Sequence, residues 1–272
     1  MADVATPSTD RASTPMTRAP AVLCLSGHDP TGGAGIQADI EACLAQGVHA
    51  FTVVTAHTVQ DTRNVRRVSA VPPLLIADQV EALAQDGRIA AIKVGLLGDA
   101  QQVPVLVDTI RAARVPVVLD PVLRAGGGTN LVGSQLQVAL RETLIPRVTI
   151  LTPNAAELRR LVPNEAPDAA AAHLLAEGCG HVLVTGGDED TAAVLNTWYA
   201  PGAPPRRFEW PRLPETFHGA GCTLASAIAA RLALGDAVDV ALETAQRWTQ
   251  DALARAVAVG QGRRIPFRRP TT

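Results

Sequence analysis

Short apolar runs alternate with longer Ala- and Leu-rich stretches along most of this chain. AVLCLS (21–26) carries no charge and reads as a strand buried on both faces. In the stretch 35–47 that follows, Ile36, Ile40, Cys43 and Leu44 recur at the spacing of one helical face. The rhythm then repeats. Strands are expected over 50–58, 89–97, 115–121, 147–154 and 180–187, and helices over 72–87, 100–113, 132–145, 155–162 and 167–178. Prolines open 72–87 and a glycine closes it, as befits a helix start and stop. Such β–α alternation predicts an α/β fold with a parallel sheet covered by helices on both faces. In sheets of that kind ligands sit beyond the carboxyl ends of the strands.

The pattern changes over 191–216, where TAAVLNTWYA and RRFEWPRL read as two edge strands around PGAPP. The prolines there would also suit a linker, but one core needs no second domain. Two helices, 222–235 and 237–260, close the pattern. The expected organisation is one folded domain over 21–262, between an N-terminal tail (1–20) rich in Ala, Thr, Ser and Pro and a C-terminal tail (263–272).

Among the 272 residues, 47% are hydrophobic and 18% charged, which is ample for one large core. Lys and Arg number 24 against 26 acids, a net charge of -2, so a general nucleic-acid or membrane-surface binder is not indicated. Only Lys93 among the basic residues is a lysine. Cys24, Cys43, Cys179 and Cys222 lie far apart with no C-x-x-C pair, against a structural zinc site and in favour of a reduced, cytoplasmic setting. No apolar run reaches the ~18–20 residues of a membrane span.

Two glycine-rich loops stand out: SGHDPTGGAG (26–35), between the first strand and first helix, and FHGAGC (217–222), just before a long apolar helix. Glycine allows close backbone approach, and a helix start offers free N–H groups and a positive dipole end. Two such loops suggest two halves of a site, one for a small molecule and one for a donor's phosphates. No G-x-x-x-x-G-K-[ST] is present, which excludes a P-loop. Gly33-Ala34-Gly35 fits the loose dinucleotide pattern, but no acid ends the second strand and Asp61 comes late, in a loop.

SGHDPTGGAGIQADI, LDPV (119–122), TPNAAEL (152–158), VLVTGG (182–187) and HGAGCTLASAIAA (218–230) follow one another in order and spacing over about 21–260. Together they resemble the hydroxymethylpyrimidine/phosphomethylpyrimidine kinases of thiamine biosynthesis, in the ribokinase-like superfamily. That resemblance implies a three-layer α/β/α sandwich with a mainly parallel sheet and a small antiparallel edge, and a homodimer. It implies ATP with Mg²⁺, and two phosphoryl transfers: to 4-amino-5-hydroxymethyl-2-methylpyrimidine, then to its monophosphate.

Residue by residue, the resemblance makes Gly219, Ala220 and Gly221 the anion hole and Cys222 the base. A thiol at a helix start is expected to ionise more easily than a free one. Asn154, Thr185 and Gly187 fall on the nucleotide side, Thr185 where many relatives have Lys, and Asp188 where a His often follows the glycines. Asp120 and Glu157 match positions near metal and phosphates. Gln60 stands where the family has Glu and can still accept from the ring's amino group and donate to a ring nitrogen. Gly27, Ala34, Asp39 and Leu96 match the substrate side. His28 and His57 read as polar wall or loop residues, His218 as a cap of the second loop, and Lys93 is left without a role. The alternatives are a pyridoxal kinase, a non-catalytic binder that kept the fold, and a nicotinamide-dependent reductase.

Overall fold

A computed structural model describes residues 19–124, 128, 131 and 133–269. One nine-stranded sheet runs through it. Its parallel part consists of β1 (Ala21–His28), β2 (His49–Gln60), β4 (Ile89–Val94), β5 (Val117–Leu119), β6 (Ile150–Leu151) and β7 (His181–Val184). β3 (Val65–Ala70) pairs antiparallel with β2 at one edge, and the hairpin β8 (Ala193–Tyr199) and β9 (Arg206–Pro211) pairs antiparallel with β7 at the other. The order across the sheet is β3-β2-β1-β4-β5-β6-β7-β8-β9.

Helices cover both faces, so successive residues of a central strand enter different cores. Along β1, Leu23 and Leu25 pack with residues of α2 (Pro73–Asp86), α3 (Val103–Ala113), α4 (Ser134–Ala139), α5 (Ala155–Leu161) and α6 (Pro167–Ala176). Val22 and Cys24 pack with α1 (Gly35–Ala45), α7 (Ala220–Ala233) and α8 (Val238–Ala254) on the opposite face. The three-layer sandwich and the antiparallel edge at 191–216 are as expected. α7 is almost wholly buried, which explains its run of Ala and its lack of a polar face.

Four departures from the sequence reading have physical reasons. β3 was not expected: VRRVSA is an edge strand with mostly exposed side chains, so it has no apolar pattern to read. The helix over 132–145 begins at Ser134, widens after Ala139 into a π-turn and then tightens into a 3₁₀ turn that ends at Arg147, next to Pro146. The last helix stops at Ala254, well short of 260. The expected C-terminal tail is built into the fold over 263–269: Val257 pairs with Ile265, Arg264 with Phe217, and Phe267 N donates to Ala252 O (2.9 Å). The rest of that tail, and residues 1–18 of the N-terminal one, lie outside the described residues. No helix among those described is long and apolar enough to cross a membrane.

Candidate active site

After β1 the chain passes to β2 on one side, while β4 is on the other side of β1. The loops beyond these strand ends diverge, which opens a crevice at the switch point. A cavity of about 460 Å³ lies at these strand ends. Gly27, Ala34, Gln60, Leu96, Asp120, Asn154, Glu157, Thr185, Gly187 and the run Gly219–Cys222 all line it. Residues scattered from 27 to 222 thus share one wall, and Asp39 alone of the expected site residues does not.

The second glycine loop ends at Gly219, whose φ of +83° favours glycine. No side chain caps the helix it opens, and the first bond within that helix runs from Thr223 N to Gly219 O (2.9 Å). The N–H groups of Ala220, Gly221 and Cys222 therefore have no partner in the helix and sit at the positive end of its dipole, on the cavity wall. A Cβ on Gly221 would stand only 3.6 Å from both Asp120 carboxylate oxygens.

Asp120 directly follows β5 and is 5% exposed; Glu157, 7% exposed, lies in the first turn of α5. Asn154 and Glu157 form a capping box: Glu157 N donates to Asn154 Oδ1 (2.8 Å) and Asn154 N to Glu157 Oε2 (3.0 Å). Leu123 N donates to the other Glu157 oxygen (3.2 Å). Burial, then repulsion from Asp120, pushes the Glu157 carboxyl up to about 8 despite those donors. Burial likewise raises Asp120, against the pull of Lys93. Two buried, mutually repelling carboxylates form a donor set that a hard divalent cation would relieve. Among the described residues no cluster of three or more His, Cys, Asp or Glu side chains offers a protein-only metal site.

Cys222 is 9% exposed. Burial pushes its thiol up to about 12; Lys93 draws it down, and Asp120 and Asp39 add to the rise. The expectation of an easily ionised thiol is therefore corrected: desolvation and two carboxylates outweigh Lys93 and the Gly35 amide.

On the acceptor side, Gly27 at the end of β1 is packed so closely on Leu96 that a Cβ there would lie 3.0 Å from Leu96 Cδ2. Gln60 Nε2 donates to Thr58 Oγ1 (2.7 Å), and Thr58 Oγ1 to His28 O (2.8 Å). This chain fixes the amide and leaves its oxygen to accept from a ligand. His28 and His218 also line the cavity; His57 does not.

Asp39 was expected at the substrate and is instead fully buried, paired with the fully buried Lys93 at 2.8 Å. Ser226 Oγ donates to the same Asp39 oxygen (2.6 Å) and Lys93 Nζ also reaches Ser26 Oγ (3.2 Å). Burial works to discharge Lys93, but Asp39 holds it charged above the ordinary lysine range, helped by Cys222 and Asp120.

The sequence reading singled out neither Asp29 nor Arg212. Asp29 accepts from Thr31 N (2.9 Å), Ala34 N (2.8 Å) and His218 Nε2 (2.8 Å), and so shapes the first loop and ties it to the second. Burial would raise its carboxyl; His218 and the loop amides outweigh that and hold it below the usual range. The D-P-T-G string, an Asx-turn signature, was the available signal. Arg212 lines the cavity and donates to the carbonyls of Gly186 (3.3 Å), Gly187 (3.0 Å) and Glu189 (2.7 Å), which clips the loop bearing Gly187 and Asp188.

A family model described as phosphomethylpyrimidine kinase matches residues 29–267. The chain belongs to the phosphomethylpyrimidine kinase family. A hydroxymethylpyrimidine/phosphomethylpyrimidine kinase of Mycobacterium tuberculosis is 39% identical over 251 residues, which covers 89% of this chain and 91% of the relative. The chloroplastic thiamine biosynthetic bifunctional enzyme of Arabidopsis thaliana is 36% identical over 92% of this chain, but the match spans only 50% of that longer protein. Among solved structures, Bacillus subtilis pyridoxal kinase in its ADP complex superposes with a TM-score of 0.84 at 28% identity, over 92% of this chain and 97% of that one.

Proposed function

We propose that this chain transfers the terminal phosphoryl group of ATP to the hydroxymethyl group of 4-amino-5-hydroxymethyl-2-methylpyrimidine, and then a second one to the resulting monophosphate, in thiamine biosynthesis. The observation that carries the reading is the uncapped start of α7 opening on the same cavity as Gln60, Gly27, Ala34 and Leu96. Family membership and the thiamine-pathway kinases among its relatives support the choice of acceptor.

Phosphoryl transfer asks for alignment and charge stabilisation rather than covalent help. The N–H groups of Ala220, Gly221 and Cys222 bind the donor's outer oxygens as charge develops on them. Asn154, Thr185 and Gly187 contact the nucleotide. Mg²⁺, held by Asp120 and Glu157, would neutralise phosphate charge. Gln60 Oε1 accepts from the ring's amino group and Leu96 packs on the ring. The ionised fraction of Cys222, a thiolate, takes the proton of the alcohol and becomes the thiol. Four free, buried cysteines suit a reduced, cytoplasmic setting, and a homodimer completes the reading.

The test is a phosphate-transfer assay with product identification, the alcohol and the monophosphate supplied separately with MgATP. Formation of both products is expected; ATP consumption with neither acceptor refutes the reading. The likeness to pyridoxal kinase favours one second reading, phosphorylation of pyridoxal. Turnover of the two alcohols side by side separates them, and sedimentation velocity tests the dimer.

A further inference from the structure

The C-terminal segment brings a buried arginine to the seam between the two glycine loops. The Arg268 side chain is 0% exposed. Its Nε donates to Thr223 Oγ1 (2.7 Å), and Thr223 Oγ1 donates in turn to Gly219 O (2.7 Å), the residue that caps α7. One terminal nitrogen donates to Gly32 O (3.4 Å) and Glu41 Oε2 (2.9 Å), and the other to Gly33 O. The guanidinium thus holds two carbonyls of the first loop and, through one hydroxyl, the first carbonyl of the anion-binding helix.

The seam has no slack. A Cβ on Gly219 would collide with the Gly33 carbonyl oxygen and lie 3.0 Å from an Arg268 nitrogen, and a Cβ on Gly33 would run into the His218 ring. The His218–Asp29 contact at 2.8 Å ties the loops a second time. The same segment also holds the second loop by its backbone: His218 N donates to Arg264 O (2.8 Å) and Arg264 N to Thr216 O (3.0 Å). Arg268 does not line the cavity.

We propose that Arg268 is a positioning residue for phosphoryl transfer: it locks the acceptor-side loop 29–35 onto the start of α7, setting the distance between acceptor and anion hole. The proposal rests on the kinase reading. Five donors in a fixed fork suit one side chain to several carbonyls, which a lysine cannot match. Buried carbonyls that lose such a donor keep their desolvation penalty, so the seam would open rather than stay closed and unsatisfied. Misplacement of reacting groups by about 1 Å costs about 100-fold in rate.

The test compares wild type, Arg268→Met and Arg268→Lys in the full chain by two measurements. Amide exchange in the ligand-free protein is followed peptide by peptide. Single-turnover transfer is measured with each acceptor, alongside ATP hydrolysed per pyrimidine phosphorylated. In Arg268→Met, exchange should rise selectively in 29–35 and 218–223, transfer should fall about 10- to 100-fold, and hydrolysis per transfer should increase. Arg268→Lys should lie between. Unchanged loop exchange overturns the clamp, as does exchange that rises uniformly across the sheet with a rate loss equal to the unfolded fraction. Exchange needs no substrate, so if wild type fails to phosphorylate the pyrimidine, the kinase reading falls while the clamp is still decided.

Discussion

Replacing Cys222 by alanine separates the two transfers. An alcohol must lose its proton as it attacks, whereas a phosphate monoester, with a second pKa of about 6, is already mostly dianionic at pH 7.5. A positioned general base contributes about 10²–10⁴-fold. With its thiol pushed up to about 12 by burial, roughly one Cys222 in 10⁴–10⁵ is ionised at pH 7.5 in the ligand-free protein. Single-turnover transfer to the alcohol in wild type should therefore climb with pH, close to tenfold per unit from 6 to 9. Transfer to the monophosphate should level off above about pH 7. Cys222→Ala should lower alcohol transfer by about 10²–10⁴-fold and monophosphate transfer by less than about tenfold. Rapid-quench assays on both acceptors across that pH range, with melting temperatures to confirm folding, decide the matter. Equal losses on both acceptors, or a flat alcohol profile, would falsify the base assignment and leave Cys222 as a small residue filling a helix start.

Three other outcomes follow from the geometry. Lys93→Met strands the fully buried Asp39 carboxylate and should cost about 3–5 kcal/mol in urea unfolding, while Lys93→Met with Asp39→Leu should recover most of it. If the double variant is no better than the single, the pair itself holds the fold. Gly219→Ala forces a side chain into a φ of +83° and into the Gly33 carbonyl; it should lose at least about 1–2 kcal/mol and nearly all transfer activity. Wild-type melting and rates would show that the seam yields. The Glu157 carboxyl, raised from 4.5 to about 8, favours folding while protonated: its contribution is complete below 4.5 and lost as pH rises through about 8. Glu157→Gln lacks that titration, so wild type should lose stability relative to the variant between pH 5 and 8.5, and parallel melting curves would contradict this.

The alternation of 21–26, 35–47 and 50–58 made the parallel sheet legible because β-branched and apolar runs bracket a helical stretch, and β1, buried on both faces, has almost no polar residues. β3 escaped notice for the opposite reason: an edge strand of Arg and Ser looks like a loop. The two glycine loops announced themselves, since only glycine tolerates the approach of Gly33 and Gly219. Polar groups below the surface were harder to place. Asp39 sits in a loop-plus-helix motif that suggested a ligand contact, yet its carboxylate turns inward to Lys93, and sequence order does not say which way a helix's polar residue faces. The Cys222 thiol was misjudged because a helix start can be read from the chain, whereas the burial, Asp120 and Asp39 that raise the thiol arrive from distant segments. Arg268 was hidden by its position near the chain terminus, where an arginine ordinarily reads as solvated.

The bond between Arg268 and Gly32 spans 236 positions of sequence. A nascent chain can therefore pair β1, β2 and β4 early, but the seam between the two glycine loops stays unfinished until the segment carrying Arg268 has cleared the ribosome's exit tunnel. A chain cut just before Arg268 would keep every strand of the sheet and lose the contacts that close the first glycine loop onto α7.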